Sequence, residues 1–353
     1  MTDMNLQSLP RLLAGLLAAT LIVLSGTAQG AAPGLPTSHV TADSSVAAAA
    51  TPQPLVQRAS DEYLSHVQFT NEAEAAAIAP VPTDFNLIRP GQLLLTTIPG
   101  QGTFICSASF VFKDNKTPVN YYLATAGHCV LPPTAVSTHG TGANYNPSGV
   151  VVSACYANCY LGGELSGLLA SFATVGPVVY ARQSQATAAV GCVAGQIGND
   201  FALVKISPTW YTAPWNIVTP RMAVWSGPYV FGLGVEGTGK LLVHHGNGIE
   251  LGTAEPTKAR AGVSLDDGIL CSFQALISVA GGDSGSAISL AMAGATPEPV
   301  LSGGEALGTI THALAGAAPP AYGTTVYRAI GMAKTDANLT ISLCMASTTI
   351  PGC

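Results

Sequence analysis

Thr125-Ala126-Gly127-His128-Cys129 and, far downstream, Gly281-Gly282-Asp283-Ser284-Gly285 decide how this chain is read. Between them stands Asn199-Asp200-Phe201-Ala202-Leu203-Val204-Lys205-Ile206. A serine hydroxyl is a poor nucleophile until a base takes its proton, and the base needs a third group to orient it. In that division of labour Ser284 attacks a carbonyl carbon and His128 takes its proton. Asp200 fixes the imidazole tautomer and stabilises its charged form. The glycines around Ser284 let the N–H groups of Gly282 and Ser284 converge on a developing oxyanion.

Around these blocks the texture is that of short strands. The sequence predicts them at Thr103–Phe112, Val119–Thr125, Phe201–Ile206, Lys240–His245, Ile269–Ile277 and Ser286–Leu290. The first two flank the polar cluster Lys113-Asp114-Asn115-Lys116-Thr117-Pro118, which reads as a hairpin turn. With 39 glycines and 24 prolines supplying turns, the chain is all-β, a barrel or sandwich. A strand at Thr324–Tyr327 and a short helix after it close the fold. There is no internal repeat at a fixed period. The prolines at 208, 214, 220 and 228 mark residues 207–230 as a connection between two strand-rich halves.

The three blocks, in the order His, Asp, Ser, resemble the signatures of chymotrypsin-like serine proteases of the secreted bacterial type. The resemblance covers roughly residues 95–345. It implies two packed six-stranded antiparallel β-barrels with the active site in the cleft between them. The long interval from His128 to Asp200 then implies an insertion around Cys155 to Val190. The resemblance further implies that Cys106, in Phe104-Ile105-Cys106-Ser107-Ala108-Ser109, bridges to Cys129 beside the histidine. By the family's register Ser278 forms the floor of the specificity pocket. Because Ser278 carries no charge, a preference for Arg or Lys is unsupported. His312, in Gly308-Thr309-Ile310-Thr311-His312-Ala313, falls on the strand lining that pocket, where glutamate-specific bacterial relatives place a histidine. An apolar or aromatic preference is the default, and His312 reads either as a strand-end histidine or as a substrate-binding residue that adds some acidic preference. That segment also departs from the family's usual small, serine-bearing pattern, which leaves the support of Asp200 open. No Ile-Val-Gly-Gly-like terminus precedes Cys106, so the animal-type switch, in which a new amino terminus pairs with Asp283, is not expected.

The amino-terminal region reads as a route out of the cell. Arg11 precedes the apolar run Leu12–Leu24 and small residues follow at 28–32, so residues 1–32 form a secretory signal. The run is too short to cross a hydrocarbon core of roughly 30 Å. Residues 33–90, rich in Ala, Pro, Ser and Thr, are a propeptide or flexible leader that makes the protein a zymogen. Residues 91–353 are the protease domain, secreted or periplasmic and monomeric. In an oxidising compartment the 8 cysteines read as disulfides, and Cys155-x-x-x-Cys159 as no metal site.

A net charge of −6, with only 9% charged residues, argues against nucleic acid as a partner. No later segment would hold the chain in a membrane, and no cofactor or metal is called for. The expected partner is a protein or peptide substrate. Gly234–Lys240 mimics a phosphate-binding loop, but Leu241 replaces the hydroxyl that would hold magnesium. An α/β-hydrolase reading of Ser284 fails, because Ser286 takes the last glycine position and the triad order differs. His244 and His245 read as a strand-end pair, and Asp266-Asp267 as a turn. Asn115-Lys116-Thr117 and Asn338-Leu339-Thr340 match the glycosylation pattern. The rival from another class is a catalytically silent binding protein on the same fold.

Overall fold

Strands that carry a continuous apolar run must be covered on both faces, and two such strands organise this molecule. The computed structural model describes residues 88–353 except 133–148, 158–170, 186–187, 194, 213–217, 221–227, 229, 232–238, 247–257, 266–269, 278, 280, 294–300, 314–319 and 346–352. The expected signal segment, all but the end of the leader, and Ser278 lie outside the described residues.

The amino-terminal half holds β1 (Leu93–Ile98), β2 (Gly102–Ser107), β3 (Val111–Asp114), β4 (Tyr121–Thr125), β5 (Val151–Ala157), β6 (Ser171–Gly176), β7 (Val178–Arg182) and β8 (Phe201–Lys205). β2 and β3 are two halves of one bent run, and β6 and β7 are another, broken at Pro177, which has no N–H to give a ladder. Counted as runs there are six strands. Antiparallel pairing goes β1 to β2, β3 to β4, β4 to β8, β8 to β7, β6 to β5, and β5 back to β1. The ring is closed, with strands changing sheet at two corners as in orthogonal packing. The single strand expected over Thr103–Phe112 is thus a cornered pair, and the insertion expected from Cys155 to Val190 includes the barrel strands β6 and β7.

The second half repeats this order without repeating the sequence. It holds β10 (Leu241–Gly246), β11 (Lys258–Ser264), β12 (Ser272–Leu276), β13 (Ala287–Ala293), β14 (Leu301–Ala313) and β15 (Pro320–Thr325). The ring runs β10, β11, β12, β15, β14, β13 and back to β10. Both barrels therefore have the six antiparallel strands expected. In the connection, Pro208–Trp210 forms a 3₁₀ turn, and β9 (Val230–Phe231) lies parallel to β14.

Helix α1 (Val326–Ala337) begins two residues earlier than the sequence suggested. Thr325 caps it, its Oγ1 accepting from Arg328 N–H at 3.2 Å. Asn338, left-handed at φ 51, ends it. β16 (Ile341–Leu343) then returns to pair with β3 of the first barrel.

Along β4, Tyr121 and Leu123 face the first barrel's core, while Tyr122 and Ala124 face a second cluster. β8 alternates the same way: Ala202 and Val204 inward, Phe201 and Leu203 outward. The outward cluster joins Val243, Ala287 and Ala306 of the second barrel to Val326, Ala329 and Met332 of α1. Each buried Phe, Leu or Val side chain contributes about 1.5–3 kcal/mol, so β4 and β8 are held from both sides. They are the two strands that deliver His128 and Asp200.

Candidate active site

β4 runs antiparallel to β8 with Thr125 opposite Ala202, so the end of one strand meets the beginning of the other. Three residues past Thr125 comes His128, in a 3₁₀ turn over Gly127–Cys129. Two residues before Ala202 comes Asp200, following a 3₁₀ turn over Ile197–Asn199. Gly127 is obligatory, since a Cβ there would lie 1.8 Å from the Arg182 carbonyl oxygen.

Both partners are buried, and His128 Nδ1 is 3.1 Å from Asp200 Oδ2. The backbone N–H of His128 donates to Asp200 Oδ1 at 3.2 Å, so the carboxylate grips both the ring and its main chain. Oδ2 accepts a second bond, from Ser184 Oγ at 3.1 Å. The second barrel holds the Asp200 backbone: its N–H donates to Thr324 Oγ1 at 3.1 Å, and that hydroxyl lies 2.8 Å from the Asp200 carbonyl.

The glycine turn of Ser284 lies between β12 and β13 and rests against the first barrel. Ser107 N–H donates to the Ser284 carbonyl at 2.8 Å, and Ser107 Oγ to the Gly282 carbonyl at 2.8 Å. The Ser107 carbonyl in turn accepts from Thr125 Oγ1 at 2.9 Å. Gly282 and Gly285 have φ of 100° and 94°, the left-handed region that favours glycine. A Cβ on Gly285 would stand 2.2 Å from both the Ser107 oxygen and Thr125 Oγ1. Cys106 and Cys129 form a disulfide, and Cys129 Sγ is 3.6 Å from the Ser284 carbonyl oxygen. The Ser284 turn and the His128 turn are thus neighbours in space, and Ser284 itself is half-buried.

The carboxylate of Asp283 pairs with Arg260 on β11. Gly246 makes room for it, because a Cβ there would fall 2.2 Å from Asp283 Oδ1. Asp283 is thus paired by a side chain of the same barrel. His312 is buried behind Asp200. Its Nε2 is 3.1 Å from Ser184 Oγ and 3.3 Å from the Gln185 carbonyl, and its Nδ1 is 2.9 Å from Thr311 Oγ1. Burial, only partly opposed by the Asp200 carboxylate, pushes the His312 imidazole down to about 4.

Two rings of six antiparallel strands make this a trypsin-like two-barrel fold. No protein-family model matches the sequence, and no curated protein is similar to it. Among solved structures, protease A of Thermobifida fusca is 14% identical, with a TM-score of 0.39 over 73% of this chain and 99% of that one. A protease of Arthrobacter nicotinovorans is 14% identical, with a TM-score of 0.42 over 72% and 97%. A glutamic acid-specific serine protease that uses a histidine triad in substrate binding is 18% identical, with a TM-score of 0.38 over 72% and 100%.

On this trypsin-like scaffold the described cysteines are all bonded. Cys192 joins Cys271 across the two barrels, and Cys344 joins Cys353. No group of three His, Cys, Asp or Glu side chains among the described residues could hold a metal ion. No helix among them is long and apolar enough to cross a membrane. Sequence reasoning missed Ser107, Ser184, Arg260 and Thr324. The small run Cys106-Ser107-Ala108-Ser109 was the one local signal for any of them.

Proposed function

We propose that the protein is an exported serine endopeptidase that hydrolyses peptide bonds through an acyl-enzyme. The observation that carries this reading is the buried His128–Asp200 pair, with Nδ1 and Oδ2 3.1 Å apart, beside the glycine turn of Ser284. Ser284 Oγ attacks the scissile carbonyl carbon while His128 Nε2 takes its proton. The N–H groups of Gly282 and Ser284 hold the resulting oxyanion, each such donor contributing about 3 kcal/mol. Collapse expels the amine, which leaves with the proton from His128, and water repeats the sequence on the acyl ester. Asp200 keeps the imidazole tautomer fixed throughout. The paired cysteines suit an oxidising, extracytoplasmic setting. The Asp283–Arg260 pair makes the turn independent of a freed amino terminus, so removal of the leader would serve folding or unmasking.

The test is reaction of folded, processed protein with an organophosphonate, followed by peptide mapping. Labelling is expected on Ser284 alone, absent in Ser284→Ala and slowed at least about a thousandfold in His128→Ala. A folded wild-type protein that takes no label would leave the silent binding protein as the surviving reading.

A further inference from the structure

His312 stands on the strand expected to line the specificity pocket, yet both of its ring nitrogens are engaged by other groups of the protein. The Gln185 carbonyl can only accept, so the proton shared at 3.3 Å belongs to His312 Nε2. The same N–H lies 3.1 Å from Ser184 Oγ. Nδ1 then carries the lone pair and accepts from Thr311 Oγ1 at 2.9 Å. Ser184 Oγ, receiving a proton from His312, directs its own proton at Asp200 Oδ2, 3.1 Å away.

We propose that His312 is a positioning residue: through Ser184 it orients the Asp200 carboxylate that holds His128, rather than binding an acidic substrate side chain. The inference rests on the hydrolase reading above. One chain of hydrogen bonds runs from Thr311 through His312 and Ser184 to Asp200 Oδ2, the oxygen that also meets His128 Nδ1. Remove the His312 donor and the Ser184 hydroxyl is free to turn toward the Gln185 carbonyl. Oδ2 then keeps the Ser184 N–H at 3.4 Å but loses the shorter Ser184 Oγ bond that helps aim it at Nδ1. The charges around His312 favour this role. Asp200 and His128 are the titratable groups that face it, with the His128 ring centroid 6.1 Å away. A neutral, buried donor supports the carboxylate without setting a second cation against the imidazolium that forms on His128. Two side chains together reach the Asp200 carboxylate. The ring comes from β14 and the hydroxyl from the segment after β7.

The experiment compares His312→Leu, His312→Gln and Ser184→Ala, alone and combined. It measures kcat and KM on a peptide ester, P1 preference on a peptide library, and the low-field proton resonance of His128 Nδ1–H. His312→Leu is expected to lower kcat roughly tenfold, the worth of one hydrogen bond to a charged acceptor, with KM within about twofold. The low-field resonance should shift. His312→Gln, whose amide donates to Ser184, should recover most of kcat. In a Ser184→Ala background His312→Leu should have no further effect. If His312→Leu does not fold, Ser184→Ala alone must lower kcat and move the resonance.

An effect confined to KM or to cleavage after Glu would overturn the proposal, as would unchanged kcat with an unmoved resonance. The resonance needs no turnover. If the wild-type protein proves inactive, the hydrolase reading fails while a shift in His312→Leu still upholds the link from His312 to Asp200 and His128.

Discussion

Exchanging His312 for glutamine should flatten the acid side of the protein's stability profile. Burial lowers this imidazole from its ordinary 6.5 to about 4, against the raising influence of Asp200. Above pH 6.5 the ring is neutral in both folded and unfolded chains, and its titration costs nothing. As pH falls from about 6.5 to 4 the unfolded chain takes up a proton that the folded protein refuses. Each pH unit in that window then removes about 1.4 kcal/mol of stability, a total of about 3 kcal/mol, all lost once pH reaches 4. Glutamine fills a similar volume and does not titrate. The assay is urea unfolding at pH 7, 6, 5 and 4 for wild type and His312→Gln, both carrying Ser284→Ala to suppress self-digestion. The offset between the two curves at pH 7 reports lost packing and is irrelevant. Their difference should narrow by about 3 kcal/mol on reaching pH 4. Parallel curves would refute the reasoning, because they would mean that the imidazole charges freely in the folded state.

The glycine turn and its neighbour supply two further predictions. Gly285→Ala, with its Cβ 2.2 Å from Ser107 oxygen and a φ of 94°, should destabilise by more than about 3 kcal/mol, whereas Gly281→Ala, with nothing within 4 Å, should change stability by less than about 0.5 kcal/mol. Equal effects of the two in chemical denaturation would contradict the packing described. Arg260→Met removes the guanidinium from a buried carboxylate and should cost about 3–5 kcal/mol, and adding Asp283→Asn should restore part of that loss. Strict additivity of the two substitutions would show that they do not act as a pair.

What could be read beforehand follows from how local the physics is. The turn at Lys113–Pro118 was legible because Asp114 organises it alone, accepting from Lys116 N–H, Asn120 N–H and the Tyr122 hydroxyl within a few residues. β4 and β8 were legible because burial of both faces leaves continuous apolar runs. β14 was legible only in part, at Gly308–Ala313 through the resemblance, because bulges in its pairing with β13 break the alternation that marks a strand. The end of β15 went wrong because the Thr325 cap outweighs the β-propensity of Val326 and Tyr327. Ser107, Ser184 and Thr324 act across the whole fold. A hydroxyl whose partner is 124 residues away carries no local signature in a chain rich in serine and threonine.

Those long-range hydroxyls show how the site is held. Asp200 belongs to the first barrel, yet its main chain is fixed by Thr324 of β15 in the second. The turn of Ser284 belongs to the second barrel, yet its carbonyls at 282 and 284 are fixed by Ser107 of the first. Each barrel therefore sets the position of the other's reactive segment. The Cys192–Cys271 disulfide spans the same boundary, close to the turn that leads into Asp200. A rotation of one barrel against the other would break both sets of bonds together, so the spacing between His128 and the Ser284 turn cannot relax through either barrel alone. The geometry of this site and inter-barrel packing are then one property. The two strands buried on both faces, β4 and β8, serve both: their inward side chains build the first barrel, and their outward ones clamp it to the second.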